Sequence, residues 1–323
     1  MDQRLEQLKT WLNESGVVYQ AIAPASADAS FRRYFRITDA ENTFIVMDAP
    51  PEKENCTPFI HIAKLLLEFG LNVPEILQQD LEQGFLLLSD LGDTVFLSEL
   101  NNKTVDAMYR SAMNSLLLMQ SKQTPDLPLY DETFLRNELN LFPEWYCEKQ
   151  LNISLSAEQQ KVLEQTFEIL IKNALAQPQV CVHRDYHSRN LMLNKTNPNA
   201  PGVIDFQDAV IGAVTYDLVS LLKDCYIDWP REKVEQWVAY FHKQAESLGI
   251  ISAVSFADFL RWFDLMGLQR HLKVAGIFSR LKHRDGKTGY LKDIPRTMDY
   301  VFDVVNRYPE FKPLQKLLSE LAK

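Results

Sequence analysis

Val182-His183-Arg184-Asp185-Tyr186-His187-Ser188-Arg189-Asn190-Leu191-Met192-Leu193-Asn194, followed at a distance by Gly202-Val203-Ile204-Asp205-Phe206, is the part of the chain on which the reading of the fold turns. It sets a carboxylate at Asp185, an amide at Asn190 and a second carboxylate at Asp205, at the end of an apolar run. Leu191-Met192-Leu193 and Gly202-Val203-Ile204 read as short strands, and Asn194-Lys195-Thr196-Asn197-Pro198 as the turn of a hairpin. A hairpin brings Asn190, just before its first strand, towards Asp205, just after its second. Both carry hard oxygen donors of the kind Mg²⁺ takes. Asp185 is left to orient an incoming hydroxyl or accept its proton, a role worth about 10²–10⁴ in rate. The set suits phosphoryl transfer from a metal–nucleotide. A polar loop that satisfies its own backbone would explain any single Asp here. It does not explain the joint spacing.

Working outward, 323 residues exceed what one small core holds, which predicts two lobes. Residues 1–92 read as a small α+β lobe. It begins with an amphipathic helix through Leu5, Leu8, Trp11 and Leu12, not the apolar core of a signal peptide. Val17-Val18-Tyr19 leads into strands at Arg33–Ile37 and Phe44–Met47; a helix follows over Thr57–Phe69 and a buried strand at Phe85–Leu88. Residues 93–323 read as mostly helical, with helices over 104–122, 131–149, 157–176, 215–226, 231–247, 256–280 and 296–306. A net charge of −9 without a basic run argues against nucleic acid as a partner. No run of 18 apolar residues suggests a membrane span. Four cysteines without C-x-x-C spacing predict reduced, buried thiols and a cytoplasmic setting.

H-R-D-Y-H-S-R-N and I-D-F-Q-D resemble the catalytic loop and metal-binding motif of the aminoglycoside phosphotransferase family, on the strength of His183, Asp185, His187, Asn190 and Asp205. The resemblance implies a bilobal, protein-kinase-like α+β fold that uses ATP and Mg²⁺. It implies Asp185 as catalytic base, His183 as a brace of the loop, and Asn190 and Asp205 as the Mg²⁺ ligands. Asp217, in Tyr216-Asp217-Leu218, would support the loop; Asp208 would face the site or cap the following turn. Protein kinases carry Lys two residues after the catalytic Asp, where this chain has His187, which points to small-molecule kinases. Longer stretches, D-A-S-F-R-R-Y-F-R, I-V-M-D-A-P-P, I-D-F-Q-D-A-V-I-G and M-G-L-Q-R-H-L-K-V-A-G-I-F, resemble the amino-sugar kinases of bacterial cell-wall recycling. Those phosphorylate the anomeric hydroxyl of N-acetylmuramate and N-acetylglucosamine. A kinase of an aminoglycoside or another small alcohol, and a nucleotide-binding regulator without turnover, remain as alternatives.

Two departures bear on the nucleotide. Ser26 to Arg33 lies where kinases keep a phosphate-covering loop, yet it lacks G-x-G-x-x-G. It offers Ser30 among small residues and then Arg32 and Arg33, either as a phosphate cradle or as a plain turn. The strand Ile45-Val46-Met47-Asp48 carries no Lys, so Arg32 or Arg33 is expected to supply that charge. Ser89 and Leu91 are placed by the resemblance at the adenine edge. On the acceptor side, Arg270 and Lys273 lie on one helix face with His271 adjoining, either as a carboxylate-binding wall or as a solvated basic face. Glu138, His187 and Asp208 are further candidates to meet the acceptor.

Overall fold

The computed structural model describes residues 2–27, 31–124 and 126–322. In chain order its first elements are α1 (Gln3–Glu14), β1 (Ala21–Ala27), β2 (Arg33–Thr38), β3 (Thr43–Asp48), α2 (Thr57–Glu68), β4 (Ile76–Asp80) and β5 (Phe85–Ser89). Then come α3 (Phe96–Glu99), α4 (Val105–Gln120), α5 (Glu132–Leu139), a π-helix (Phe142–Gln150), α6 (Ala157–Leu175) and β6 (Gln179–Val182). They are followed by β7 (Leu191–Met192), β8 (Gly202–Val203), β9 (Val210–Ala213), α7 (Tyr216–Leu222), α8 (Arg231–Ser247), α9 (Phe256–His283), α10 (Ile294–Arg307) and α11 (Lys312–Leu321). The chain forms two compact units: Met1–Val95 with Leu191–Asp208, and Phe96–Asn190 with Ala209–Lys323.

The first unit is built on a five-stranded antiparallel sheet in the order β1-β2-β3-β5-β4. Asp2 caps α1, its carboxylate accepting the Leu5 N–H at 3.2 Å. Leu8, Trp11 and Leu12 of α1 pack on Phe35, Ile37, Val46, Phe85 and Leu87 of the sheet, which buries the apolar stripe seen in the sequence. The lead-in Val17-Val18-Tyr19 is not a strand: Val18 is 84% exposed, and pairing begins at Ala21. β7 and β8 pair antiparallel, Leu191 opposite Val203 and Met192 opposite Gly202, and this hairpin belongs to the first unit. Gly202 lets the strands pack closely there: a Cβ would lie 2.9 Å from Leu91 Cδ1 and 3.0 Å from Met192 Cβ, so these side chains would have to shift.

The second unit is mostly helical, with β6 and β9 as an antiparallel pair. Its axis is α9, buried on every side from Phe263 to Gly276, as a helix enclosed by its neighbours must be. It packs against α6, α7, α10 and the π-helix. The single helix expected over 131–149 is two. Asp131 caps α5, whose last residue is Leu139; the chain then continues as a π-helix. Pro143 has no N–H to donate, so the α-helical ladder is interrupted there. At this point the backbone of Leu141 comes so close to Gly276 that a Cβ on that glycine would lie 2.4 Å from the Leu141 carbonyl. β4, β6, β9 and α11 were not foreseen from the sequence.

Candidate active site

In the second unit β6 delivers the chain to His183, and the loop that follows is held by two buried carboxylates. Asp217, in the first turn of α7, accepts the N–H of His183 at 2.6 Å and of Arg184 at 3.0 Å. Arg184 sits at φ 78°, a left-handed conformation that strains a non-glycine residue by about 1–3 kcal/mol. The two charge-assisted bonds to Asp217 offset that strain. Asp224 is the second strut: its Oδ2 accepts the Ser188 N–H at 2.9 Å and the Ser188 hydroxyl at 2.5 Å. Inside the loop the Asp185 N–H donates to His183 Nδ1 at 3.2 Å, and Asn190 Nδ2 donates to the Asp185 carbonyl at 3.0 Å. That last bond fixes the Asn190 amide with Oδ1 turned the other way. Asp224 was missed in the sequence reading, because nothing local announces a strut that arrives from a distant helix end.

The charges explain how Asp185 is tuned. Burial pushes its carboxyl up, but Lys273, His187, Arg270 and Arg184 together pull it below the ordinary carboxylate value. It is therefore ionised at neutral pH. Burial pushes His187 down, and Asp224 and Asp185 do not restore it, so the imidazole is neutral there. Burial pushes Asp217 up to about 7, against the two N–H donors.

The acceptor candidates divide. Glu138 of α5 accepts from Lys273 Nζ at 2.8 Å and Arg184 at 2.7 Å, and takes the Tyr130 hydroxyl as well. Lys273 also donates to the Tyr216 hydroxyl at 2.8 Å. His271 stacks on Tyr300 with ring centroids 4.7 Å apart, and its Nε2 meets the Lys223 carbonyl at 2.9 Å, so the core holds it. Arg270 is only 4% exposed, yet its one hydrogen bond among the described residues is a 4.0 Å contact to Cys225 Sγ. The basic helix face is thus buried and not solvated.

In the first unit Asp205 follows β8 at φ 65°, with Oδ1 accepting from Gln207 Nε2 at 2.7 Å. Phe206 is buried against Phe59, ring centroids 4.9 Å apart, and Asp208 is exposed. Ser30 lies outside the described residues. Arg33 pairs with Asp48, the residue opposite it in the β2–β3 register, at 2.5 Å, and with Asp2. Arg4 pairs with the same fully buried Asp48. Arg32 faces Glu54 at 3.3 Å. At the other candidate edge the Ser89 N–H is committed to the Glu75 carbonyl at 2.9 Å. The Leu91 backbone makes no hydrogen bond among the described residues.

Asn190 and Asp205 each carry an oxygen donor of the kind Mg²⁺ takes at a nucleotide. Among the described residues no group of three or more His, Cys, Asp or Glu forms a protein-only cage. Mg²⁺ at a nucleotide asks for one or two protein oxygens and keeps waters and phosphates for the rest. Asp205 lies two residues after β8 in the first unit, and Asn190 closes the loop of the second.

Comparison with known proteins gives the family. The sequence model of the phosphotransferase enzyme family matches residues 21–253. An N-acetylmuramate/N-acetylglucosamine kinase of Pseudomonas putida is 46% identical over 332 residues, spanning 99% of this chain and 97% of that protein. A protein of the same name from Neisseria meningitidis is 43% identical over 330 residues, spanning 99% of this chain and 96% of its own. The solved GDP complex of wild-type aminoglycoside 2'-phosphotransferase-IIIa superposes with a TM-score of 0.64 at 15% identity, covering 95% of this chain and 100% of that one. At that identity the likeness is one of fold, and it is the kinase-like α+β fold expected from the sequence.

Proposed function

The chain belongs to the phosphotransferase enzyme family, and on that premise we propose that it is an ATP- and Mg²⁺-dependent kinase of amino sugars. It transfers the γ-phosphoryl group to the anomeric hydroxyl of N-acetylmuramate or N-acetylglucosamine, giving the sugar 1-phosphate and ADP. The observation that carries the reading is Asp185: an ionised carboxylate on a loop braced by Asp217 and Asp224, in a setting rich in buried cations. The names of relatives at 46% and 43% identity over nearly the whole chain support the choice of acceptor. No helix among the described residues is long and apolar enough to cross a membrane, and all four cysteines are free and buried, which supports a cytoplasmic setting.

Asp185 orients the acceptor hydroxyl and takes its proton as the new P–O bond forms. An anomeric hydroxyl is more acidic than an ordinary alcohol, so a carboxylate held below its usual value still suffices. Asn190 and Asp205 would hold Mg²⁺, which when bound neutralises phosphate charge. His183 keeps the Asp185 backbone in place through its Nδ1. The Leu91 backbone remains the candidate for the adenine edge; the Ser89 N–H is already engaged.

An aminoglycoside acceptor is a polycation and asks for acidic walls, whereas the charged groups that pull on Asp185 at neutral pH are Lys273, Arg270 and Arg184. The test is ADP release with N-acetylmuramate, N-acetylglucosamine, kanamycin and choline, together with the reducing-sugar signal, which phosphorylation at the anomeric carbon removes. We expect ADP release and loss of that signal with the two amino sugars, and a fall of at least about 10²-fold in Asp185→Asn. Turnover with kanamycin alone, or with no acceptor, overturns the assignment.

A further inference from the structure

Arg270 is a buried cation that the fold does not neutralise by contact. It is 4% exposed, no carboxylate lies within 4.0 Å of its guanidinium among the described residues, and its Nε has no hydrogen-bond partner. Neighbouring charges have contact partners: Lys273 and Arg184 pair with Glu138, Asp217 with two N–H groups and Asp224 with Ser188. His187, within electrostatic reach of Arg270, likewise has a buried Nδ1 without a partner. Burying a guanidinium without a partner costs several kcal/mol. Asp185 and Asp224 act on Arg270 from beyond contact distance, which leaves its guanidinium open to an anion in direct contact. Arg270 acts on Asp185 and on His187, so that anion is close to the reacting hydroxyl.

We propose that Arg270, with His187 beside it, is the seat for the phosphoryl group in flight, supplying at the transfer point the positive charge that His187, in the place of the usual loop lysine, does not carry. Two anions compete for the assignment, the transferred phosphoryl and the carboxylate of an acidic sugar. The choice rests on the acceptor reading above. A buried site built to pair one substrate group rejects an analogue lacking it by about 10⁴–10⁵. A kinase that takes both N-acetylmuramate and the neutral N-acetylglucosamine is poorly served by a buried carboxylate seat. The phosphoryl group is common to both reactions. In the step the sugar oxygen bonds to the γ-phosphorus, the bond from that phosphorus to the bridging oxygen breaks with its electron pair leaving on ADP, and the hydroxyl proton goes to Asp185. Arg270 meets the equatorial oxygens while this happens and gains or loses no proton.

The experiment uses Arg270→Lys and Arg270→Met in the full chain, with thermal melts to confirm folding. The first readout is steady-state kinetics with both sugars. The second is the affinity for ADP–Mg²⁺ with and without aluminium fluoride, a mimic of the phosphoryl group that needs no sugar. We expect kcat to fall by about 10²–10³ with both sugars at little-changed KM in Arg270→Met. The extra affinity conferred by aluminium fluoride should vanish while ADP affinity stays, and Arg270→Lys should recover part of both. A defect confined to N-acetylmuramate and expressed in KM overturns the proposal in favour of a carboxylate seat. Unchanged aluminium fluoride binding in a folded Arg270→Met overturns it outright. If wild type turns over neither sugar, the acceptor reading falls alone, and the inhibitor measurement still decides the seat.

Discussion

Asp217→Asn separates a residue that merely fills the core from one that holds the catalytic loop in register. The carboxylate accepts two backbone N–H groups, from His183 at 2.6 Å and Arg184 at 3.0 Å, each a charge-assisted bond of about 1.5–3 kcal/mol. An amide can accept only one of them and turns an NH₂ towards the other. One buried donor is then unsatisfied, at about 1–3 kcal/mol. The φ of 78° at Arg184 also loses the bond that offset its strain. Together these give a destabilisation of about 2–4 kcal/mol, below the 5–15 kcal/mol of roughly typical stability, so the variant stays folded at 25 °C. The activity loss follows from displacement. Asp185 is the residue after Arg184, and about 1 Å of misplacement costs about 10² in rate. The measurement is a urea titration with matched m-values beside kcat at pH 8, above the value of about 7 to which burial pushes Asp217. Asp217→Ala, which removes both acceptors, should lose more stability. A stability loss of this size with kcat within twofold of wild type would refute the reasoning, since it would mean that the bonds do not set the position of Asp185.

Three further outcomes follow from other contacts. Lys273→Met removes the cation that pulls Asp185 down most, so the acid limb of the kcat/KM profile should move to higher pH; an unmoved limb counts against Asp185 as the group titrated. Gly276→Ala sets a Cβ 2.4 Å from the Leu141 carbonyl and should lower stability by about 1–3 kcal/mol in urea unfolding; an unchanged midpoint would show that the π-helix can shift aside. His271 is held down to about 3, against 6.5 when unfolded, so the unfolded chain binds the extra proton. The stability it contributes is present above about pH 6.5 and is lost as pH falls, by about 3 kcal/mol at pH 4.5. His271→Asn should flatten that part of the urea-midpoint curve, and an equally steep loss in the variant would place the acid sensitivity elsewhere.

What was legible in the sequence was local. The β7–β8 hairpin expected between Asn190 and Asp205 is present, and the spacing of Asp185, Asn190 and Asp205 made them candidates whose roles belong to the proposed function. The face of α9 shows the limit. Arg270 and Lys273 are visibly neighbours at three residues apart, but whether that face meets water depends on α5, α6, α7 and α10, which arrive from distant parts of the chain. Sequence periodicity cannot distinguish a solvated basic stripe from a buried one whose lysine is paired with Glu138. The same holds for β6 and β9, four residues each, whose pairing joins Cys181 to Ile211 across the intervening loop and hairpin. The break between α5 and the π-helix was signalled by Pro143, but its cause on the other side, Gly276, lies on another helix.

The missing strand lysine acquires a physical account once charges are counted in the first unit. β3 ends in Asp48, which is fully buried, and burying a carboxylate is costly unless it is paired. Arg4 and Arg33 pair with it, and Asp2 closes on Arg33 from the other side. Two guanidinium groups against two carboxylates leave this cluster formally neutral. It anchors α1 and β2 to β3 and has no net charge to offer a triphosphate. Arg32, the other cation expected to stand in for lysine, faces Glu54. A chain that spends its N-terminal arginines on a structural carboxylate needs positive charge for the transferring phosphate from elsewhere. Arg270 meets that need: its charge is buried, it has no carboxylate partner among the described residues, and it already acts on Asp185. Arg270 then supplies charge to the transferring phosphate beside His187, and the Arg270 variants test that assignment, not the origin of the strand lysine's absence.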